Sequence, residues 1–538
     1  MRTHGFVAVL AALTCVLSGC GGSGDSAENA SLELASFQRT DQDSRLAGVL
    51  LDLQSKSPKG FLVFVHVAVV DPETGQVQRD QTIVLNEDRI SWVGPETEAP
   101  KLTGAQIINA KDKYITAGLV DMHVHTGGMG EHLLRLAAGV TTVRDMDGFP
   151  WLLRMRDAIA HDQMIGATLY VAGTIIADHP LDGYAVVVRT PEEARRAVRA
   201  QAACGYQFIK VHNRLGVKLF DAVASEAREV HLDLVGHVPH GITLKHAIQS
   251  GGMRTSEHLK GFLHDETLLP SDEDYKTALG DAEHWITPTL YTAIGADVGA
   301  GARARMADPR TSYTPRTVRE GWVIRTRDDA KAAAKSASYR NTQLIVMNRL
   351  LPLNPRWLAG TDAAGYDFNI AGFALQDEME LLNKFGVSRQ NVLRAATSEP
   401  AVAMRRTGEF GRIAPGHRAD LVLLDSNPLD DLAAYHNNSG VMANGRWYSR
   451  TELDAALAKL AAIYDEAILN QISAEAAKTI AARLTALDHR GVVFESQALL
   501  RASKALTRAG FNTEATLLKS LAKVPASGSC AATYPGAG

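Results

Sequence analysis

Cysteine is scarce in this chain, with four in 538 residues, and no two of them form a CxxC pair. Cys204 and Cys530 stand too far apart in sequence to read as a disulfide framework, and the sequence assigns them no chemistry. Charge of one sign is lacking too: 56 lysines and arginines face 60 aspartates and glutamates, for a net charge of -4. That balance offers no basic field for nucleic acid. Long hydrophobic runs are missing as well. The one apolar stretch near the start, 6–16, is too short for a membrane-spanning helix, and no other run comes closer. What is present is ordinary globular composition, 46% hydrophobic and 22% charged, in a chain long enough for a large barrel domain with accessories.

The first residues read as a processing signal. Arg2 supplies the positive start, 6–16 the apolar core, and Leu17-Ser18-Gly19-Cys20 the box that follows. This looks like a bacterial lipoprotein signal over 1–19, with cleavage before Cys20 and lipidation of that cysteine. Residues 20–60 follow as tether and N-terminal extension, with Gly21–Ser31 small and polar as a flexible tether is. The expectation is a Gram-negative cell-envelope lipoprotein, in the outer membrane or periplasm, held to the membrane by its lipid. Gly21 rather than aspartate after the cysteine points to the outer membrane.

Beyond the extension the pattern has four parts. Residues 61–115 alternate in the β manner with turn residues between, and make a small sheet. From 116 to 400 strands alternate with helices, and eight such strands argue for a closed (β/α)8 barrel of the TIM type. Residues near 300–350 interrupt the last two strands as a helical insertion over the barrel mouth. Residues 401–450 are strand and turn again, Leu453–Ala522 is strongly helical within a C-terminal extension of 451–538, and Pro525–Gly538 reads as loose.

One stretch organises the chemistry: Ile115–Thr126, ITAGLVDMHVHT. Two-residue spacing puts Asp121, His123 and His125 on one face of a strand, where two imidazoles can ligate one metal. A second anchor is Phe208-Ile209-Lys210-Val211-His212-Asn213, whose alternation points Lys210 into the barrel if Ile209 and Val211 pack on outer helices. A buried ammonium is costly, so that lysine needs a depressed pKa or a strong partner. A neutral amine there can react with carbon dioxide to form a carbamate that bridges two metals. His237, His258 and Asp362 each close a strand, at the barrel end where chemistry collects.

The motifs VDMHVH, FIKVHN, SEHL, AGTDA and APGHRADLVLLD resemble the amidohydrolase superfamily, in its binuclear carboxylated-lysine subtype. The branch most resembled is the prolidase-like and imidazolonepropionase-like group, near metal-dependent dipeptidases, carboxypeptidases and ochratoxin-type amidases. The resemblance covers roughly 61–450, with Ala117 where proline is common. It implies that the C-terminal strands return to the N-terminal sheet as a small β-sandwich, while the helical C-terminal appendage lies outside it. It further implies that His123, His125 and Asp362 hold one divalent metal and that His237 and His258 hold a second. Carboxylated Lys210 would bridge the two. Zinc suits these ligands, and so do Mn, Fe or Co. A metal-bridging hydroxide would attack the carbonyl while Asp362 moves the proton to the leaving amine. The expected activity is hydrolysis of an amide or peptide-like bond in a small molecule or short peptide, of dipeptide or N-acyl amino acid type.

One departure affects substrate binding. Several peptidase members carry a tyrosine two residues after the fifth-strand histidine, and here that position is Pro239, followed by His240. His240, His212 and Tyr291 are the candidate substrate contacts. Competing readings are a mononuclear-type deaminase, a lactonase or esterase on the same metals, and a non-catalytic envelope binding protein. Neither substrate identity nor oligomeric state is legible in the sequence.

Overall fold

A computed structural model describes residues 26–522, apart from 101–102, 182–184, 260, 263–269, 281, 296 and 364–366. The lipoprotein signal, Cys20 and the tail after 522 lie outside the described residues.

Eight parallel strands form the barrel. They are β6 (Leu119–Val124), β7 (Val140–Asp145), β8 (Thr168–Val171), β11 (Phe208–Val211), β12 (Asp233–Gly236), β13 (Met253–Glu257), β14 (Trp285–Thr287) and β15 (Arg356–Trp357). Regular ladders join β6 to β8 and β11 to β15. Two single parallel bridges, Ala172 to Phe208 and Val124 to Ala363, close the ring. Between β8 and β11 lie two short strands, β9 (Ile175–Ala177) and β10 (Ala185–Val187), of which β9 bridges to β11.

The two faces of these strands go to different cores. Ile209, Val211, Leu234 and Ile286 join the outer layer with the surrounding helices. Phe208, Tyr170, Val235, Trp285 and Leu358 fill the barrel interior. The helices show ordinary end chemistry: Pro191–Cys204 opens on Thr190, whose side chain accepts from the Glu193 amide, and ends on left-handed Gly205.

The flanks share one sheet. The strands are β1 (Phe61–Asp71), β2 (Gln76–Asn86), β3 (Arg89–Pro95), β4 (Gln106–Asn109), β5 (Tyr114–Ala117), β16 (Leu421–Leu424), β17 (Asn438–Ala443) and β18 (Arg446–Ser449). Their order is β18-β17-β16-β5-β1-β2-β3, with β4 beside β1. Antiparallel pairing of β5 with β16 joins the N-terminal strands to the C-terminal ones. Phe64, Val69, Ile83 and Leu85 share a core with Leu421, Leu423 and Met442.

Four helices follow, Arg450–Tyr464, Ala474–His489, Ser496–Arg508 and Asn512–Leu521. The first three pack on an N-terminal helix, Ser26–Lys56, and the fourth packs on the second and third, so the stretch read as tether is helical from Ser26 onward. That helix faces two ways. Its Phe37 lies in a core with Ile480, Leu484, Leu499 and Leu506, while Leu46 and Leu50 join the barrel's outer layer with Leu453, Leu457 and Leu460. Arg45 clamps Glu466 through both terminal guanidinium nitrogens at 2.5 and 2.6 Å. The view that Cys204 has no chemistry needs correcting, because it is disulfide-bonded; the other three cysteines, 15, 20 and 530, all lie outside the described residues. No described helix is long and apolar enough to cross a membrane.

Candidate active site

The ligand candidates converge at the C-terminal ends of the barrel strands. His123 Nε2 lies 3.4 Å from Asp362 Oδ1, His125 Nε2 2.9 Å from the same oxygen, and His258 Nδ1 3.7 Å from Oδ2. Lys210, 1% exposed, puts its Nζ 3.5 Å from His123 Nε2. The rings of His237 and His258 are 4.9 Å apart, and the His212 ring lies tilted 4.4 Å from that of His237. All six sequence-derived ligands therefore share one cluster.

Backbone strain aims several of them. Thr255 and Glu257 face the barrel interior, where both meet Arg144. Strand alternation would send His258 outward, yet its φ of 60° turns it to the mouth. Asp362, at φ 57°, is turned in the same way. Gly236, just before His237, has φ +123°, and a Cβ there would lie 2.2 Å from the Val211 carbonyl oxygen. In β6, Val120 and Met122 join the interior apolar cluster, and register shifts flank Asp121. Simple alternation therefore does not set the direction of Asp121, His123 and His125. Asp121 instead ties β6 to the last strand: its carboxylate accepts from the His123 and Thr361 amides at 3.2 and 3.1 Å and from the Thr361 hydroxyl at 2.7 Å.

Behind the ligands stands a buried network. Glu257 Oε2 accepts from His123 Nδ1 at 2.9 Å, and Oε1 accepts from Arg144 Nη2 at 2.8 Å and the Thr255 hydroxyl at 2.6 Å. Arg144 also donates to the Met122 carbonyl. Burial alone would raise the Glu257 carboxyl, but Arg144 and then His123 hold it far below the usual range. With Nδ1 bound to Glu257, Nε2 of His123 is the nitrogen left for a metal. His258 Nδ1 pairs with the Thr289 hydroxyl at 2.6 Å.

Burial, reinforced by neighbouring cations, holds His123 and His237 well below the ordinary imidazole range. Neutral imidazole is the metal-binding form. Burial also lowers Lys210. At Asp362 burial works upward, and His258, His123 and His125 outweigh it to hold the carboxylate well below its usual range.

The donor set fits a divalent metal. Ligand atoms of His123, His258 and Asp362 all lie within 4.8 Å of one another, and His237 Nδ1 is buried without a hydrogen-bond partner among the described residues. The trio that gathers around one point cuts across the two ligand groups implied by the resemblance, because Asp362 reaches toward both.

The candidate substrate contacts are placed unequally. His212 touches the cluster through His237. His240 is exposed and meets Asn213 Nδ2 at 3.2 Å. Tyr291 is buried, and its hydroxyl donates to the Phe368 carbonyl at 3.1 Å, so the structure does not bring it into the cluster. Sequence reading also missed Arg144, Glu257, Asp145 and Asp147. Their only signal was the charged ends of VTTVRDMD and RTSEH, whose partners are brought close by barrel closure. Asp145 accepts from the Thr126 and Asp147 amides at 2.6 and 3.1 Å. Asp147 is 4% exposed, and burial pushes its carboxyl up to about 7 against the pull of His125.

Known proteins resemble this chain. An imidazolonepropionase from Acidiphilium cryptum is 25% identical over 370 residues, covering 66% of this chain and 89% of that one. An ochratoxinase from Aspergillus niger is 21% identical over 451 residues, covering 71% and 84%. Among solved structures, a bottromycin amidohydrolase superposes with a TM-score of 0.63 at 23% identity, covering 84% of this chain and 97% of that one. A Xaa-Pro dipeptidase with bound methionine superposes with a TM-score of 0.56 at 21% identity, covering 72% and 100%. At these identities the structures speak for the fold. Residues 114–448 match the amidohydrolase family, the span that holds the barrel and every ligand candidate, and so the chain belongs to the amidohydrolase family and is a hydrolase acting on carbon–nitrogen bonds.

Proposed function

We propose that this hydrolase cleaves an amide or peptide-like bond in a dipeptide or N-acyl amino acid type substrate, with two divalent metals that carboxylated Lys210 would help to hold. The observation that carries the reading is the meeting of Lys210 with four histidines and Asp362 at one barrel mouth. His123, His125 and Asp362 would hold one metal, His237 and His258 the other, with zinc suited to the nitrogen and oxygen donors and Mn, Fe or Co also compatible. When bound, such ions supply Lewis-acid polarisation of the carbonyl and a nucleophile at neutral pH. The chain's own residues do the rest. The buried Lys210 amine attacks carbon dioxide, forms the nitrogen–carbon bond and loses a proton, leaving a carbamate. Asp362 accepts the attacking water's proton and returns it to the leaving nitrogen. Glu257 keeps His123 in one tautomer.

The test is purified full-length protein, analysed for metal and screened against dipeptides and N-acyl amino acids. Wild type should carry two divalent metals per chain and hydrolyse members of the set. Lys210→Ala should lose metal and most activity, and a short carboxylic acid added in solution should restore part of both. Two metals and a near-normal rate in Lys210→Ala would overturn the carbamate. We also assign the chain to the cell envelope through lipid on Cys20. Cys20→Ser should release the protein from membranes or block its processing.

A further inference from the structure

Two residues past the end of β7, Asp147 stands at the barrel mouth with its carboxylate almost wholly withdrawn from water, at 4% exposure. One of its oxygens, Oδ1, has no hydrogen-bond partner among the described residues. Asp145 ties it to the ligand strand, because the Asp145 carboxylate accepts from the amides of both Asp147 and Thr126, the residue after His125, and so Asp147 lies beside the ligand cluster. The neighbouring Asp145 differs, since its two oxygens are taken up by the Thr126 and Asp147 amides. Arg144, the arginine inside the barrel here, is committed to Glu257, Thr255 and the Met122 carbonyl. None of its hydrogen bonds among the described residues goes to Asp147. A buried carboxylate oxygen without a donor is costly, and at the mouth of an active site the missing donor can arrive with the substrate.

We infer that Asp147 is the subsite for a protonated amino group, so that preferred substrates are amides carrying a free primary ammonium beside the scissile bond. This rests on the amide-hydrolase reading and narrows it: aminoacyl compounds such as dipeptides and amino-acid amides are favoured over N-acyl amino acids. The ammonium supplies donors that the fold withholds, and its charge matches the carboxylate. An acylated nitrogen has lost both the positive charge and most of its donors, and would leave Oδ1 unsatisfied.

The experiment uses metal-loaded full-length enzyme and matched pairs, a dipeptide with a free α-amine and the same dipeptide N-acetylated. Wild type should prefer the free amine. Asp147→Asn should lower kcat/KM for the free amine by about 10- to 100-fold, mostly through KM, as loss of a charge-assisted hydrogen bond does. The acetylated partner should change by less than about 3-fold, with metal content unaltered. Equal losses on both substrates, loss of metal in Asp147→Asn, or a wild-type preference for the acetylated form would overturn the subsite. Should neither peptide be cleaved, the amide reading fails by itself. Calorimetric binding of the same pair then decides the subsite: amine selectivity abolished by Asp147→Asn supports it, and equal binding by wild type overturns it.

Discussion

Glu257 and His132 show what a single buried polar side chain does in this molecule. Glu257 holds His123 by its Nδ1 at 2.9 Å while Arg144 balances its charge. Glu257→Gln offers one oxygen where two now accept, and should weaken divalent-metal binding by about 10- to 100-fold, read by chelator competition on the apo protein. His132 is the opposite case, 1% exposed with neither ring nitrogen hydrogen-bonded among the described residues. Burial pushes it down to about 3 from an ordinary 6.5. A histidine whose folded pKa lies below its unfolded one takes its proton in the unfolded chain first. Its contribution is therefore full above about pH 6.5 and is lost as pH falls toward 3. His132→Leu should raise stability by roughly 1–3 kcal/mol and flatten the loss of denaturant midpoint between pH 7 and 5. An unchanged slope would mean that other groups dominate the acid response.

Among the elements, strand ends and one helix carry the precision of the site. Gly236→Ala forces a Cβ toward the Val211 carbonyl oxygen at 2.2 Å with φ at +123°, and should cost on the order of 1–3 kcal/mol in backbone strain while displacing His237. Reduced metal content together with a lower melting temperature is the expected pair of readings. The helix Phe373–Lys384 reaches under the loop after β14, where Glu378 accepts the Leu290 and Tyr291 amides at 2.9 and 2.7 Å. Burial raises this carboxyl to about 8 despite those donors. Glu378→Ala leaves both buried amides without an acceptor, and should lower stability by roughly 2–4 kcal/mol with the ligand cluster itself intact.

Over the whole molecule the N-terminal helix is the seam. It lends Phe37 to the C-terminal helical layer and Leu46 and Leu50 to the barrel's outer layer. Removing the Phe37 ring should cost that layer about 3–5 kcal/mol. Because the metal ligands sit on other elements, Phe37→Ala should unfold the helical layer earlier in denaturant while metal content stays constant. Loss of metal in step with that layer would show instead that the barrel depends on it.

Residue type and spacing alone pointed to much of this protein. The alternation in FIKVHN put Lys210 inside, because period two is a local property of a strand, and Ile209 and Val211 do pack outward. The eight-strand barrel and the ligand candidates at its strand ends were legible for the same reason. Tertiary structure decided what depends on distant partners. Arg144 and Glu257 meet only because β7 and β13 enter one barrel, and His258 follows Glu257 into it only because its φ of 60° breaks the alternation. Tyr291 carries a hydroxyl that suits a substrate contact, yet the fold gives that hydroxyl to the Phe368 carbonyl. The helix from Ser26 has its partners far along the chain, Met129 for Asp43 and Glu466 for Arg45, so its local composition could suggest only a tether. Short-range periodicity is written in neighbouring residues, whereas pairing of buried charges and the seating of a helix are settled by which surfaces the closed fold brings together.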